Sequence, residues 1–164
     1  MAALIDLAGP EATYALGRTI GGLLEDGDFI ALSGDLGAGK TLLARAIAEG
    51  LGCPPGQVQS PTFTLVNTYA GGRLPLHHAD FYRLGSIDEL YGTGFFDLLG
   101  GPGALLVEWP ERIPSAAPSA RLDLGLSRIS EEGRRARLVP HGDRAARLLA
   151  RLLACEGVSL ALDR

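Results

Sequence analysis

Cysteine is scarce in this chain. Cys53 and Cys155 are the only two among 164 residues, and they stand far apart, in no CxxC pair. A disulfide-stapled fold or a cysteine-based zinc site needs more thiols at shorter spacings. We therefore expect both cysteines to be structural and their compartment to be reducing.

Long apolar runs are also missing. No stretch approaches the roughly 18 apolar residues that a membrane-spanning helix requires. The short apolar run after Met1 has no basic residue before it and is interrupted by Asp6, unlike a secretory signal. With 46% hydrophobic and 21% charged residues, the composition predicts one globular domain over residues 1–164 in the cytoplasm, without a membrane partner.

Basic residues are too few for a domain that grips nucleic acid unaided. Fifteen Lys and Arg stand against nineteen Asp and Glu, a net charge of −4. The charge is distributed unevenly: residues 1–110 have a net charge of −7, and residues 111–164 have a net charge of +3. Arg144, Arg147 and Arg151 share one face of a predicted helix, which is either a solvated face or a docking surface for an acidic partner or RNA backbone.

Lysine is the rarest charged residue, because Lys40 stands alone beside fourteen arginines. A chain that uses Arg wherever Arg serves keeps a lysine where a compact, flexible ammonium is needed. Lys40 lies in the segment Gly34-Asp35-Leu36-Gly37-Ala38-Gly39-Lys40-Thr41, which matches the phosphate-binding pattern GxxxxGK[ST] in full.

The residue types of this segment suit a bound triphosphate. Glycines let the backbone fold around an anion, and the N–H groups at the start of the following helix point at phosphate oxygens. We expect Lys40 to reach the β- and γ-phosphates and Thr41 to place its hydroxyl on Mg²⁺.

The order of elements predicts an α/β fold, a three-layer P-loop NTPase-like arrangement with a mixed sheet. Helices are predicted over residues 10–26, 40–51 and 143–154, short helices within 86–99, and strands over 28–33, 104–107, 121–129 and 135–140. Two further strands, 63–70 and 73–83, predict an antiparallel hairpin. Its turn, Gly71-Gly72, predicts a tight two-residue connection with positive φ at both glycines.

A P-loop site needs another acid at the end of a neighbouring buried strand, where it can meet the metal's water shell or the attacking water. Glu108 follows the apolar run 104–107 and is the first candidate. Asp80 alternates with His78 and Tyr82 on one face of a predicted strand. A role for Asp80 on Mg²⁺ or water is favoured over a zinc site of His78 and Asp80, because two ligands do not complete a coordination sphere.

Two further candidates have alternative interpretations. Thr62 stands where many nucleotide switches keep a hydroxyl that senses the γ-phosphate, or it belongs to an ordinary turn fixed by Pro61. Trp109, the only tryptophan, either walls the nucleotide site or is a large core or interface aromatic.

Four blocks of sequence together resemble a known family. They are Gly34–Thr41, Ser60–Val66, His78–Arg83 and Val107–Pro110. In this order they resemble the bacterial ATPase family of threonylcarbamoyladenosine biosynthesis, TsaE, also called YjeE. The resemblance covers most of residues 28–112. It implies an ATPase that assists the transferase installing a threonylcarbamoyl group on the adenosine beside the anticodon of certain tRNAs, without being that transferase.

The resemblance also implies roles for residues of the four blocks. Lys40 would be the phosphate clamp, Thr41 and Glu108 the Mg²⁺ residues, Asp80 a catalytic or metal-supporting acid, and Thr62 the switch hydroxyl.

Outside the blocks the match is weaker. There, Thr13 is expected to help hold the adenine end, and Arg134 to approach the nucleotide from the C-terminal part. The implied cofactors are ATP and Mg²⁺. The implied partners are a TsaD-like transferase subunit and its TsaB-like companion, with tRNA reached through them and hydrolysis resetting their complex.

Two other functions stay open. A small-molecule P-loop kinase would use the arginine-rich C-terminal part as a phosphate clamp, and its product would be a phosphorylated metabolite. A nucleotide-dependent adaptor would bind ATP and signal through Thr62 without useful hydrolysis. An ordinary GTPase is disfavoured, since the Asn-Lys-x-Asp motif needs a second lysine, and no LSGGQ segment indicates a transporter-type ATPase.

Overall fold

The computed structural model describes residues 2–56 and 65–158. Within these ranges, the strands are β1 (Ala3–Leu7), β2 (Phe29–Gly34), β3 (Val66–Tyr69), β4 (Leu76–Asp80), β5 (Ala104–Glu108), β6 (Arg121–Arg128) and β7 (Arg134–His141). The helices are α1 (Pro10–Leu23), α2 (Lys40–Gly50), α3 (Phe95–Leu98) and α4 (Asp143–Leu153). Short 3-10 helices occur at Ile87–Leu90, Pro110–Arg112 and Pro114–Ala116.

The described strands form one mixed sheet in the order β1-β7-β6-β2-β5-β4-β3. β2 is parallel to both β5 and β6, and β4 is parallel to β5. The outer pairs, β3 with β4, β6 with β7 and β1 with β7, are antiparallel. The predicted mixed sheet, parallel near the glycine loop and antiparallel at the added hairpin, is therefore confirmed.

Alternating side chains along the strands divide the core into two layers. Ile30 and Leu32 of β2 pack with residues of α1, α2 and α4. Phe29 and Ala31 point the other way and pack with the short helical segments between β4 and β6. Helical layers on both faces of a sheet give the three-layer arrangement that the sequence predicts.

The predicted tight turn at Gly71-Gly72 is wrong. β3 ends at Tyr69 and β4 begins at Leu76, and the φ of Gly72 is not positive. The longer connection arises because it packs on the helices: the N–H of Arg73 donates to the carbonyl of Leu51 at 2.6 Å. The Gly71-Gly72 pair gives no sign of this contact, because Leu51 lies far from it in the sequence.

β1 is a strand that the sequence patterns do not predict. Its backbone pairs with β7, with Ile5 opposite Ala136. Five residues with alternating burial make a weak local signal, and the partner strand lies about 130 residues later in the chain. Tertiary pairing therefore creates this edge of the sheet.

Two of the three arginines on α4 form ion pairs within the chain. Arg144 Nη1 lies 3.3 Å from Asp28 Oδ1, and Arg151 Nη1 lies 2.9 Å from Glu25 Oε1. These pairs bind α4 to the connection between α1 and β2.

Both cysteines are free thiols. In the ranges described, no helix is long and apolar enough to cross a bilayer.

Candidate functional site

The glycine-rich segment 34–39 connects the end of β2 to the start of α2. Gly34 has φ 151° and Gly39 has φ 106°, values that side-chain-bearing residues rarely adopt. A Cβ on Gly34 would lie 2.7 Å from the Leu126 carbonyl oxygen, too close for a real contact. Both positions therefore require glycine, and the loop turns directly into the N-terminus of α2.

Lys40 begins α2 and is buried, with 6% of its surface exposed. Its Nζ donates to the carbonyl oxygens of Gly34 and, at 3.1 Å, of Asp35. The same ammonium lies 4.2 Å from the centroid of the Trp109 ring. Lys40 thus places its charge inside the glycine loop, next to the strand end that carries Glu108.

Glu108 ends β5, whose neighbours in the sheet are β2 and β4. Its carboxylate is buried, and Oε2 lies 2.7 Å from Nε2 of His78 on β4. In the strand register, Glu108 stands beside Leu32 of β2 and Asp80 of β4. The acid therefore sits at the carboxyl ends of parallel strands, the edge where ligands bind in open α/β sheets.

Asp80 ends β4 and shares this edge. Its Oδ1 accepts a hydrogen bond of 2.8 Å from the N–H of Tyr82. Partial burial raises the pKa of Asp80 from its ordinary value; the Tyr82 hydrogen bond opposes that shift, and the negative charge of Glu108 adds to it. The pKa of Asp80 is thus raised partly by a neighbouring negative charge, which is a place where a bound cation would stabilise the ionised carboxylate.

Trp109 has φ 56°, the left-handed region, where a bulky residue is uncommon. This backbone turn places its partly buried ring over Lys40, with the Tyr82 ring centroid 4.9 Å away. Trp109 also packs at the margin of the core layer formed by Phe29, Phe81 and their neighbours. Trp109 therefore lies beside the loop and borders the core, and its role as a wall of the nucleotide site stays a prediction.

Two residues from distant elements also reach the loop. Arg134, the first residue of β7, donates to the carbonyls of Ala38 at 3.1 Å and Gly37 at 3.3 Å. Thr13 of α1 is buried, and its Cγ2 lies 3.9 Å from the point where a Cβ on Gly39 would stand. Both side chains lie against the glycine loop, whereas Thr62 lies outside the described residues.

Comparison with known proteins agrees with this geometry. Residues 7–137 match the family described as threonylcarbamoyl adenosine biosynthesis protein TsaE. The chain belongs to the TsaE family. The tRNA threonylcarbamoyladenosine biosynthesis protein TsaE of Bacillus subtilis is 37% identical over 150 residues, covering 92% of this chain and 93% of that protein. The protein with the same name from Nostoc is 39% identical over 152 residues, covering 89% of this chain and 91% of that protein.

A solved structure shows the same fold. The crystal structure of Bacillus subtilis YdiB superposes with a TM-score of 0.78 at 32% identity, covering 93% of this chain and 95% of that one. The P-loop NTPase-like fold predicted from the sequence is therefore confirmed.

The residues of this TsaE-family site fit a nucleotide with Mg²⁺. A side chain is excluded at Gly34, and glycine-rich loops of this kind offer backbone N–H groups to an anion. The candidate metal residues Thr41, Asp80 and Glu108 offer oxygen donors, which a hard cation prefers. No group of three His, Cys, Asp or Glu with metal-binding geometry occurs in the described part of the chain, so the zinc alternative gains no support.

Sequence patterns missed the bond between His78 and Glu108. Alternation along β4 placed His78 beside Asp80, but the partner of His78 comes from β5, which only the sheet order brings near. The contact of Arg134 with the loop crosses 96 residues, and the family resemblance suggested only that Arg134 approaches the nucleotide.

A separate cavity of about 500 Å³ lies on the opposite sheet face, lined by Ser33, Gly125 and Arg137 among others. Asp123 in its lining accepts a hydrogen bond from Arg121 at 2.8 Å and lies 2.8 Å from His141 Nε2. The glycine loop, and not this cavity, gathers the candidate catalytic groups.

Proposed function

We propose that this protein binds ATP with Mg²⁺ and hydrolyses it as the accessory ATPase of tRNA threonylcarbamoyladenosine biosynthesis. The observation that carries the proposal is the meeting of three features at one sheet edge: the glycine loop, the buried Lys40 and the strand-end acids Asp80 and Glu108. Membership of the TsaE family supports the link of this proposed activity to tRNA threonylcarbamoyladenosine biosynthesis.

In this proposal the residues of the chain have separate roles in nucleotide binding and hydrolysis. The loop N–H groups and Lys40 hold the phosphates and stabilise the charge of the transferring phosphoryl group. Thr41 and Glu108 hold Mg²⁺, which when bound neutralises charge on the β- and γ-phosphate oxygens. Asp80, with Glu108, orients the attacking water, and Thr62 is the proposed switch hydroxyl that senses the γ-phosphate.

The burial of Lys40 and Glu108 supports a functional role for their charges at the proposed site. Lys40 and Glu108 are nearly inaccessible to solvent, where a charge interaction is stronger than in water. Thr13 lies near Gly39 and Trp109 lies beside Lys40, and we assign the adenine end to Thr13 and a wall of the site to Trp109.

We propose a TsaD-like transferase subunit and its TsaB-like companion as partners, with hydrolysis resetting their complex and tRNA reached through them. The decisive measurement is phosphate release from ATP by the purified protein, alone and with the two partner proteins added in increasing amounts. We expect slow release alone and a clear rise with the partners. Unchanged turnover across the titration contradicts the accessory role.

Glu108→Gln separates hydrolysis from binding. The amide keeps the size of the side chain and loses the charge, so we expect ATP binding to persist while phosphate release falls by about 10²-fold or more. If the variant still supports the modification reaction, the adaptor function is correct and hydrolysis is not needed. A phosphorylated metabolite in place of free phosphate would instead identify a kinase.

A further inference from the structure

His78 is a buried titratable residue that the proposed function leaves without a role. It lies in the middle of β4, with 1% of its side chain exposed, and its Nε2 is 2.7 Å from Glu108 Oε2, itself 4% exposed. Solvent therefore does not compete for this contact. The only buried histidine facing the site within the described ranges is thus bonded to the acid proposed to hold Mg²⁺.

The hydrogen-bond inventory assigns the tautomer of His78. Nδ1 is buried and has no partner among the residues that the structure describes. A buried N–H without an acceptor costs more than an unpaired ring lone pair, so we place the proton on Nε2. Nε2–H then donates to Oε2 of Glu108, which leaves Oε1 outside this bond.

The adjacent histidine provides a contrast. His77 points to the other face of the sheet, where Nδ1 lies 2.9 Å from the Thr68 hydroxyl and Nε2 lies 3.0 Å from the Pro102 carbonyl oxygen. Both of its ring nitrogens join β4 to neighbouring backbone and strand residues. His77 is therefore a structural histidine that lies on the same strand as His78 and is similarly buried.

We infer that His78 is a positioning residue for Glu108: its Nε2–H fixes one carboxylate oxygen and so orients the other towards Mg²⁺. This inference rests on the proposed Mg²⁺–ATP site. A carboxylate at the end of a strand has rotatable side-chain bonds, and a fixed hydrogen bond removes part of that freedom before the metal arrives. Losing such an outer partner typically lowers metal affinity or activity by about 10–100-fold.

The test compares two amides at position 78. In His78→Gln the amide nitrogen reaches the region of the imidazole Nε2, whereas in His78→Asn it reaches only the region of Nδ1. Mg²⁺ is titrated into protein loaded with ADP, and binding is followed by calorimetry or by Trp109 emission. We expect His78→Asn to weaken Mg²⁺ binding by about tenfold or more, and His78→Gln to stay within about threefold of wild type.

Two further readouts separate positioning from general damage. ADP affinity without Mg²⁺ should be the same in both variants and wild type, because the loop backbone holds the phosphates. His77→Gln is the matched control, with a lower unfolding temperature and unchanged Mg²⁺ affinity expected.

Wild-type Mg²⁺ affinity in both His78 variants would overturn the inference, as would equal losses in both that follow their unfolding temperatures. If wild-type protein itself fails to bind Mg²⁺ with nucleotide, the proposed function fails instead. The two failures are therefore distinguishable.

Discussion

Arg134 Nε donates to the carbonyl oxygen of Ala38 at 3.1 Å, across 96 residues of sequence. The carbonyl of Ala38 and the N–H of Gly39 belong to one planar trans peptide and point in opposite directions. With the Ala38 carbonyl held by Arg134, the Gly39 N–H therefore points away from Arg134. We therefore predict that Arg134 supports the proposed nucleotide site through the loop backbone and not through direct phosphate contact.

Arg134→Ala should weaken Mg²⁺–ATP binding by about tenfold, near the free energy of one charge-assisted hydrogen bond. We expect kcat to change less than affinity, because Lys40 and Glu108 remain in place. Calorimetric titration with a slowly hydrolysed ATP analogue measures the effect.

Arg137→Ala is the matched control for this experiment. Arg137 lies on the same strand, is exposed, and makes no hydrogen bond or ion pair within residues 2–56 and 65–158. The two variants lose the same charge, so similar losses of ATP affinity would mean a general charge effect. Wild-type affinity in Arg137→Ala alone supports the loop contact.

Lys40→Ala should lower phosphate release by about 10²-fold or more, since it removes a preorganised cation from the transferring phosphoryl group. Lys40→Arg should rescue little, because a planar guanidinium does not reproduce the compact ammonium that contacts two loop carbonyls and the Trp109 ring. Phosphate release at saturating ATP gives the comparison, with far-ultraviolet circular dichroism to verify folding. Hydrolysis at the wild-type rate in Lys40→Ala would exclude the proposed site.

Asp80 links the site to pH-dependent stability. Its pKa is raised in the folded protein, chiefly by burial, so the folded chain holds the Asp80 proton to higher pH than the unfolded chain does. Between the two pKa values the folded state binds more protons, and the free energy of unfolding falls as the pH rises. Above the folded-state pKa of Asp80, the full cost of burying its ionised carboxylate is subtracted from the free energy of unfolding.

Asp80→Asn should therefore raise the unfolding temperature at pH 7–8 in metal-free buffer, while it lowers phosphate release. The amide oxygen still accepts the hydrogen bond from the Tyr82 N–H, so that contact is kept. The stability gain should shrink as the pH falls below the ordinary range of aspartate. Thermal unfolding of both proteins over a pH series tests this, and a gain that does not depend on pH would refute the assignment.

Much of this site can be predicted from the sequence because its strongest signals are local. The glycine loop is a contiguous pattern, and Glu108 stands directly after an apolar strand. The remaining contacts depend on sheet order: His78 meets Glu108 only because β4 lies beside β5. β1 and the support of the loop by Arg134 likewise depend on pairing between distant segments, which no local pattern records.

The packing of α1 on α2 depends on small residues and gives a prediction about stability. A Cβ added to Gly21 would overlap the Ile47 carbonyl oxygen and lie 2.9 Å from the Cα of Gly50. These are backbone atoms of α2, so neither can move aside as a side chain would. The helices must separate, and α2 carries Lys40 and Thr41 at its first turn.

Gly21→Ala should therefore lower the free energy of unfolding by about 1–3 kcal/mol, the usual cost of overpacking, although alanine is the better helix former. Gly22→Ala is the control, one residue later in the same helix, where an added Cβ meets nothing within 4 Å. That variant should be as stable as wild type or more stable, by up to about 1 kcal/mol. Chemical denaturation measures both, and equal stabilities of the two variants would contradict the close approach of the helices.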